Sequence, residues 1–377
     1  MTYFKTPGQL IEHLLEERGW SQRLLAIVTG RGESAINKIV SGKQSIDADT
    51  ALLMEEAFSV PADRFLTLQR EFDLAVARLS SRPDPARATR AHLFGGLPIS
   101  DMLKRGWLGN TDLKNVEAVE GALATFFGVA SSSEIEILPH AARKTMVNTE
   151  PSPAQLAWLY RVRSMALEML VPRYTPQALE TALRELKSLL VSAENVRKVP
   201  RILSDAGIRF VVVETLPTAK IDGVCFWLND HSPVVGMSVR HDRNDNFWFV
   251  LRHELEHVRL GHGKDKMILD AELDGERAGT GPDVPEEERL ANEAAANFGI
   301  PQSQMQAFID RKAPLFSERD MIGFARSLGV HPGIVAGQLQ HKTGRYERFR
   351  QHLEKVRSYL LPTSYVDGWG NVAPVGE

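Results

Sequence analysis

Between Phe249 and Gly263 the chain reads FVLRHELEHVRLGHG, three histidines and two glutamates in a run of large apolar residues. On a helix, His253 and His257 lie four apart and share a face, as two imidazole ligands of one Zn²⁺ must. Glu254 sits ~100° around from His253, within reach of a water at such an ion. Phe249, Val250, Leu251, Leu255, Val258 and Leu260 demand that the helix be buried. Burying two His and two Glu is costly unless each finds a partner. The fold must therefore bring a second segment to this helix. The letters HELEH read equally as H-E-x-x-H and as H-x-x-E-H. Glu254 and Glu256, ~200° apart, are thus both candidate bases.

A catalytic zinc needs a third protein ligand and an open position. No other His falls on the same face, and His262 follows Gly261, where a support or rim position is expected. Downstream lie Glu272, Asp274, Glu276, Asp283, Glu286, Glu287, Glu288 and Glu293. Pro285 suits the first position of a helix. On that helix Glu288 shares a face with Ala291, Asn292 and Ala295, small enough for a second helix to approach. Glu286 and Glu287 lie off this stripe. Glu288 is the preferred third ligand and Glu293 the alternative.

At 377 residues the chain predicts two or three domains. A net charge of −3 excludes a global basic field, so any DNA-binding surface must be local. Cys225, the one cysteine, excludes an intramolecular disulfide and a cysteine-based zinc finger. No apolar run approaches the ~18 residues of a membrane span, and no secretory pattern opens the chain. The expected location is cytoplasmic.

The patterning predicts a multidomain protein: an all-α domain over 1–79, a linker over 80–92 and a helical connector or dimerisation region over 93–198. An α+β domain is expected over 199–302 and a helical C-terminal extension over 303–377. Short β-branched runs, GIRFVVVETL, GVCFWLN and PVVGMSVR, predict three strands ahead of the His-rich helix. YERFRQHLEKVRSYLL predicts a last helix. SERDMIGFARSLGVHPGIVAGQLQHKTG predicts a hairpin of two helices, either a lid on the core or a partner-binding element. The first 80 residues predict five short helices with Gly-containing turns, Ser21 and Asp47 or Asp49 being cap candidates.

SQRLLAIVTGRGESAINKIVSGK has the layout of a helix-turn-helix and resembles the XRE family of repressors. Pro7 to Leu74 resembles, more narrowly, HigA/VapI-type antitoxins. The resemblance implies operator DNA, in the protein's own promoter, as a partner, a homodimer, and a cognate toxin or partner repressor. It places Glu33, Ser34, Ala35, Asn37 and Lys38 on the recognition helix, with Gln22 and Lys43 near phosphates. Residues 1–80 hold fewer Lys and Arg than Asp and Glu. DNA affinity should therefore rely on dimerisation or on Arg82, Arg87 and Arg90 of the linker.

HELEHVRLGH, followed some thirty residues on by ERLANEAAANFGIP, resembles the ImmA/IrrE family of metallopeptidases. That resemblance spans roughly Val199 to Pro301 and implies a zincin-like (HExxH) fold. It implies ligands His253, His257 and Glu288 on Zn²⁺, Glu254 as general base, and no catalytic role for Glu256. Ala294, Ala295 and Gly299 depart from the family pattern. The joint expectation is a DNA-binding regulator carrying a zinc-dependent endopeptidase that cleaves a partner repressor or itself under stress. The alternative is a non-proteolytic antitoxin or repressor whose zincin fold is structural or senses a ligand.

Overall fold

Each Gly-punctuated apolar segment of the first 80 residues forms the helix its period predicts. These are α1 (Pro7–Arg18), α2 (Gln22–Thr29), α3 (Glu33–Val40), α4 (Ala48–Phe58) and α5 (Ala62–Ser80). Ser21 caps α2 by accepting from Leu24 N–H, and Asp47, rather than Asp49, caps α4 through Thr50 N–H. Gly19 and Gly30 close α1 and α2 in the left-handed conformation that suits glycine. One core gathers Leu10, Ile11, Leu25, Ile36, Ile39, Met54 and Phe65. The computed structural model describes residues 4–81, 91, 95–130, 151–264, 268–271 and 285–371. Their contacts divide the chain into two units between Pro85 and Ala86.

In the second unit the chain runs through α6 (Ile99–Lys104), α7 (Val116–Phe127), α8 (Pro153–Glu168), α9 (Pro176–Leu189) and α10 (Val199–Asp205). The three expected strands follow as β1 (Arg209–Val213), β2 (Ile221–Trp227) and β3 (Pro233–Met237). Next come α11 (Asn244–Leu260), β4 (Ile268–Ala271), α12 (Glu286–Gly299), α13 (Gln302–Lys312), α14 (Glu318–Leu328) and α15 (Pro332–Thr343). A short α16 (Arg357–Leu360) and β5 (Tyr365–Asp367) follow. The sheet has the order β4-β2-β3-β1-β5. β1 is parallel to both β3 and β5, whereas β2 is antiparallel to β3 and β4.

Strand alternation sorts the side chains onto two buried faces. Phe210, Val212, Cys225, Val235 and Met237 join the core that contains α9 and α11. Val211, Val213, Val224, Phe226 and Val234 join the core built from α6, α7 and α8. Helices thus cover both sides of a mixed sheet.

The described helices of the segment 93–198 pack on the sheet: α6 to α8 cover one face, and α9 packs on the other. α8 is buried on nearly every side, with Trp158 Nε1 donating to Val213 O at 2.9 Å. Gly236 on β3 allows this approach, because a Cβ there would lie 2.7 Å from Val162 Cγ1. One expectation is corrected: YERFRQHLEKVRSYLL does not form one helix. Phe349 adopts a left-handed φ of 57°, and the helical pieces are the separate short turns Arg350–His352, Arg357–Leu360 and, from its last residue on, Leu361–Thr363. Asp242 Oδ1 takes the Val356 and Arg357 N–H groups, and Asn244 N–H donates to Glu354 O. Bonds to the start of α11 replace a helical ladder.

The end of the chain is held by a buried charge. The Asp367 carboxylate accepts from Arg161 Nε and Nη2 at 2.8 and 2.6 Å, and from Arg105 Nη2 and Trp107 Nε1 at 2.9 Å each. Arg161 and Asp367 are both fully buried. Removing one partner of such a pair leaves a charge stranded in a medium that solvates it poorly. Asp367→Asn is expected to destabilise the second unit by about 3–5 kcal/mol. Guanidinium unfolding followed by tryptophan fluorescence reads this, and a loss under ~1 kcal/mol would show that the network adds little stability.

Candidate metal centre

α11 lies between the sheet and α12, and its polar residues point in separate directions. His253, Glu254 and His257 are completely inaccessible to solvent, and Glu256 nearly so. Gly261, in the left-handed conformation, ends the helix and turns the chain back. His262 is then fixed from both sides: its N–H donates to His257 O, and its carbonyl accepts from Trp227 Nε1 at 2.8 Å.

The structure brings His253, His257 and Glu288 together, with one ligand atom of each inside a span of 4.8 Å. His253 Nε2 and His257 Nε2 are 3.0 Å apart. Glu288 Oε2 lies 3.3 Å from His253 Nε2, and Glu288 Oε1 lies 3.6 Å from His257 Nε2. Four donors placed tetrahedrally ~2.0–2.1 Å from zinc are separated by ~3.3–3.4 Å. The observed distances bracket that edge, so the three residues fit a metal ion with a fourth position left for a non-protein ligand.

Second contacts orient the imidazoles. His253 Nδ1–H donates to Asn292 Oδ1 at 3.0 Å, which leaves the Nε2 lone pair facing Glu288. His257 Nδ1 hydrogen-bonds His262 Nδ1 at 3.1 Å. With His262 accepting, His257 Nε2 presents a lone pair as well. Two lone pairs and a carboxylate then converge on one point. A bound cation would stabilise that arrangement.

The two glutamates of HELEH have different surroundings. Glu256 is clasped by Arg252 Nη2 at 2.7 Å and by Arg259 Nε at 2.9 Å. Burial pushes its carboxyl up, but the Arg259 hydrogen bonds and the Arg252 charge outweigh this and hold it below the usual carboxylate range. Glu254 instead lies against β2 at Gly223, where an added Cβ would come 2.0 Å from its Oε1. The β2–β4 register slips between Ile221 and Gly223, at the strand position that faces this carboxylate. The room left by Gly223 and this irregularity were not legible as site features in the sequence, where a glycine in a strand signals only a bulge or a close approach.

The alternative ligand Glu293 is exposed, as is Glu286, whereas Glu287 is half-buried; Arg289 lies 3.5 Å from Glu286 and 3.8 Å from Glu293. Glu272, Asp274, Glu276 and Asp283 lie outside the described residues. Arg240 and His241 gather at Asp222, with Arg240 Nε 2.6 Å from its Oδ1.

In the first unit, Ser34, Asn37, Lys38 and Lys43 are exposed, and Gln22 and Ala35 are half-buried. Asn37 Nδ2 donates to Gln22 Oε1 at 3.2 Å, tying α3 to the start of α2. Glu33 is exposed in the first turn of α3, where Gly32 offers no side-chain cap. A carboxylate there complements the helix dipole, a local role that needs no DNA. Arg82, Arg87 and Arg90 lie outside the described residues.

A helix-turn-helix in one unit, and in the other a sheet-backed helix whose two histidines meet a glutamate from its neighbour, define the class. Residues 11–65 match the helix-turn-helix family model, and residues 205–336 match the peptidase-family model described as the IrrE N-terminal-like domain. The chain thus carries both domains. A crystal structure of an antidote protein of a plasmid maintenance system from Nostoc punctiforme PCC 73102 is 27% identical, over 20% of this chain and 81% of that one, with a TM-score of 0.19. An addiction module antidote protein of a HigA family from Coxiella burnetii is also 27% identical, over 20% of this chain and 94% of that one, with a TM-score of 0.18. No curated protein matches the chain. Among the described residues no helix is long and apolar enough to cross a membrane.

Losing a group that orients a metal-bound histidine typically weakens metal binding by about 10–100-fold. Asn292→Ala is expected to do so for Zn²⁺, measured by competition with a chromogenic chelator. Unchanged affinity would show that Asn292 does not set the His253 tautomer.

Proposed function

We propose that the protein is a DNA-binding regulator with a zinc-dependent endopeptidase centre, in which His253, His257 and Glu288 hold the ion and Glu254 is the general base. The convergence of those three side chains on one point carries the reading. When bound, zinc supplies Lewis acidity to a peptide carbonyl and acidifies a water. Asn292 and His262 engage the Nδ1 atoms, so that Nε2 of each imidazole would face the ion. Glu254, sealed from bulk solvent beside Gly223, takes a proton from the attacking water and passes it to the leaving amine. Glu256 has a structural part, since two arginines engage its carboxylate.

The test separates binding from chemistry. Glu288→Ala is expected to lose zinc. Glu254→Gln is expected to keep zinc but lose at least about 100-fold in cleavage of the chain itself or of other helix-turn-helix proteins of its host, read by mass spectrometry. Glu256→Gln should keep zinc and cleavage but melt at a lower temperature. Loss of cleavage in Glu256→Gln with zinc retained would mean that HELEH runs in the inverted sense.

We further infer that α3 enters the major groove of operator DNA, with Asn37 at base edges and Gln22 and Lys43 at phosphates, and that two copies bind paired half-sites. The hydrogen bond from exposed Asn37 to Gln22 supports this. Ile27 and Val28, 70% and 49% exposed on α2, give the unit an apolar surface suited to a second copy. On a promoter fragment, Lys43→Ala is expected to weaken binding for all sequences and to lower the salt slope by about one. Asn37→Ala is expected to relax base preference by about 1–3 kcal/mol. Absence of any mobility shift at low salt would overturn the DNA reading.

A further inference from the structure

Along α11, His257, His253, Phe249 and Asn246 repeat at four, four and three residues and so form one stripe. On α12 the matching stripe is Glu288, Asn292, Ala296 and Gly299. His253 meets both Glu288 and Asn292, so this pairing fixes one end of the cleft between the two helices. Beyond Asn292 the helices do not close. They enclose a cavity of about 350 Å³ whose walls include Phe249, Asn292, Ala296 and Phe298, with Ile334 of α15 across from them.

Phe249 and Asn292 flank the metal ligand His253: the Phe249 ring centre lies 6.4 Å from that of His253, and Asn292 accepts from its Nδ1. The cavity therefore adjoins the candidate ligand His253 through Phe249 and Asn292. Its size is at the low end of ligand pockets, which run ~300–1,000 Å³, and suits one or two residues better than a large cofactor. Trp248, Phe298, Ile334 and Leu190 make its lining mostly apolar. Four polar residues of its wall are engaged, Arg243 gripping Asp245, and Gln302 and Gln338 bonding each other and the Ala296 carbonyl; Asn246, His341 and Lys342 also line it.

We propose that this cavity is the specificity pocket of the metal centre and receives a large apolar side chain, Phe, Leu, Met or Trp, next to the peptide bond that is cut. The proposal rests on the peptidase reading. For a substrate chain laid across His253 and Glu288, the space between Phe249 and Ala296 would take one side chain out of bulk water. Ala296, half-buried in the wall, sets the space available.

The probes are two hydroxamates on one peptide scaffold, one with a benzyl side chain and one with a methyl, titrated calorimetrically into the zinc-loaded full chain. The benzyl compound is expected to bind at least about 10-fold tighter, the scale of burying an aromatic side chain. Ala296→Phe should reduce this preference to within about 2-fold while leaving the methyl compound and the zinc content unchanged. Asn246→Phe fills the cavity from the opposite wall and is expected to act alike, should Ala296→Phe fail to fold. Equal binding of both probes to the wild type overturns the pocket while leaving the metal centre standing. A benzyl preference that survives both variants overturns it as well, because the ring then sits elsewhere. Failure of both probes to bind, or of the chain to take up zinc, removes the metal-centre reading and the pocket with it.

Discussion

One carboxylate anchors the second unit. Asp367 receives N–H groups from Arg105, Arg161 and Trp107, which stand ahead of the first strand, whereas Asp367 itself ends the last strand. A charge at full burial is tolerable only because four donors meet it and its partner charge is adjacent. The geometry leaves little freedom. β5 must lie parallel to β1, with Asp367 opposite Val213, for the carboxylate to reach α8. The pair therefore ties the end of β5 to α8 across the sheet. Arg105 extends the clamp by donating to the backbone carbonyls of both Asp367 and Glu214.

The cleft between α11 and α12 is built on that base by giving each polar group of α11 its own neighbour. His253 turns to Asn292, His257 to His262, and Glu256 to two arginines, while Glu254 fits the space that Gly223 leaves on β2. These neighbours come from a second helix, from the helix's own end, from its outer face and from the sheet. The imidazoles and the candidate base are consequently positioned by different elements. A shift of the sheet would move Glu254 relative to the two histidines, and a shift of α12 would move Glu288 and Asn292 together.

Much of this was legible in the sequence, for identifiable reasons. The Gly-ended helices of the first unit and the three β-branched strands are local signals, set by glycine's tolerance of left-handed backbone and by side-chain alternation. His253, His257 and Glu288 were legible because ligand spacing and helix period leave few choices. What stayed hidden was non-local. The apolar period of α8 showed that it is buried but could not name its partner as the sheet. β5 is three residues long and owes its existence to pairing with β1. The helical pattern after Tyr346 lost to tertiary bonds, because Asp242 and Asn244 engage the same backbone groups that a helix would use. The space at Gly223 was invisible for the same reason: a missing side chain has meaning only once the facing residue is known.

Placing the last strand beside the first also fixes an order of events at the ribosome. The core of the first unit closes with contacts among residues 10 to 65, all made early. The sheet cannot be completed until Asp367 has left the exit tunnel. At ~5–20 residues per second, the roughly three hundred residues in between take on the order of fifteen seconds to a minute. A nascent chain therefore carries a finished helix-turn-helix well before the cleft between α11 and α12 can rest on its finished sheet. Within each molecule's lifetime the first unit matures ahead of the second.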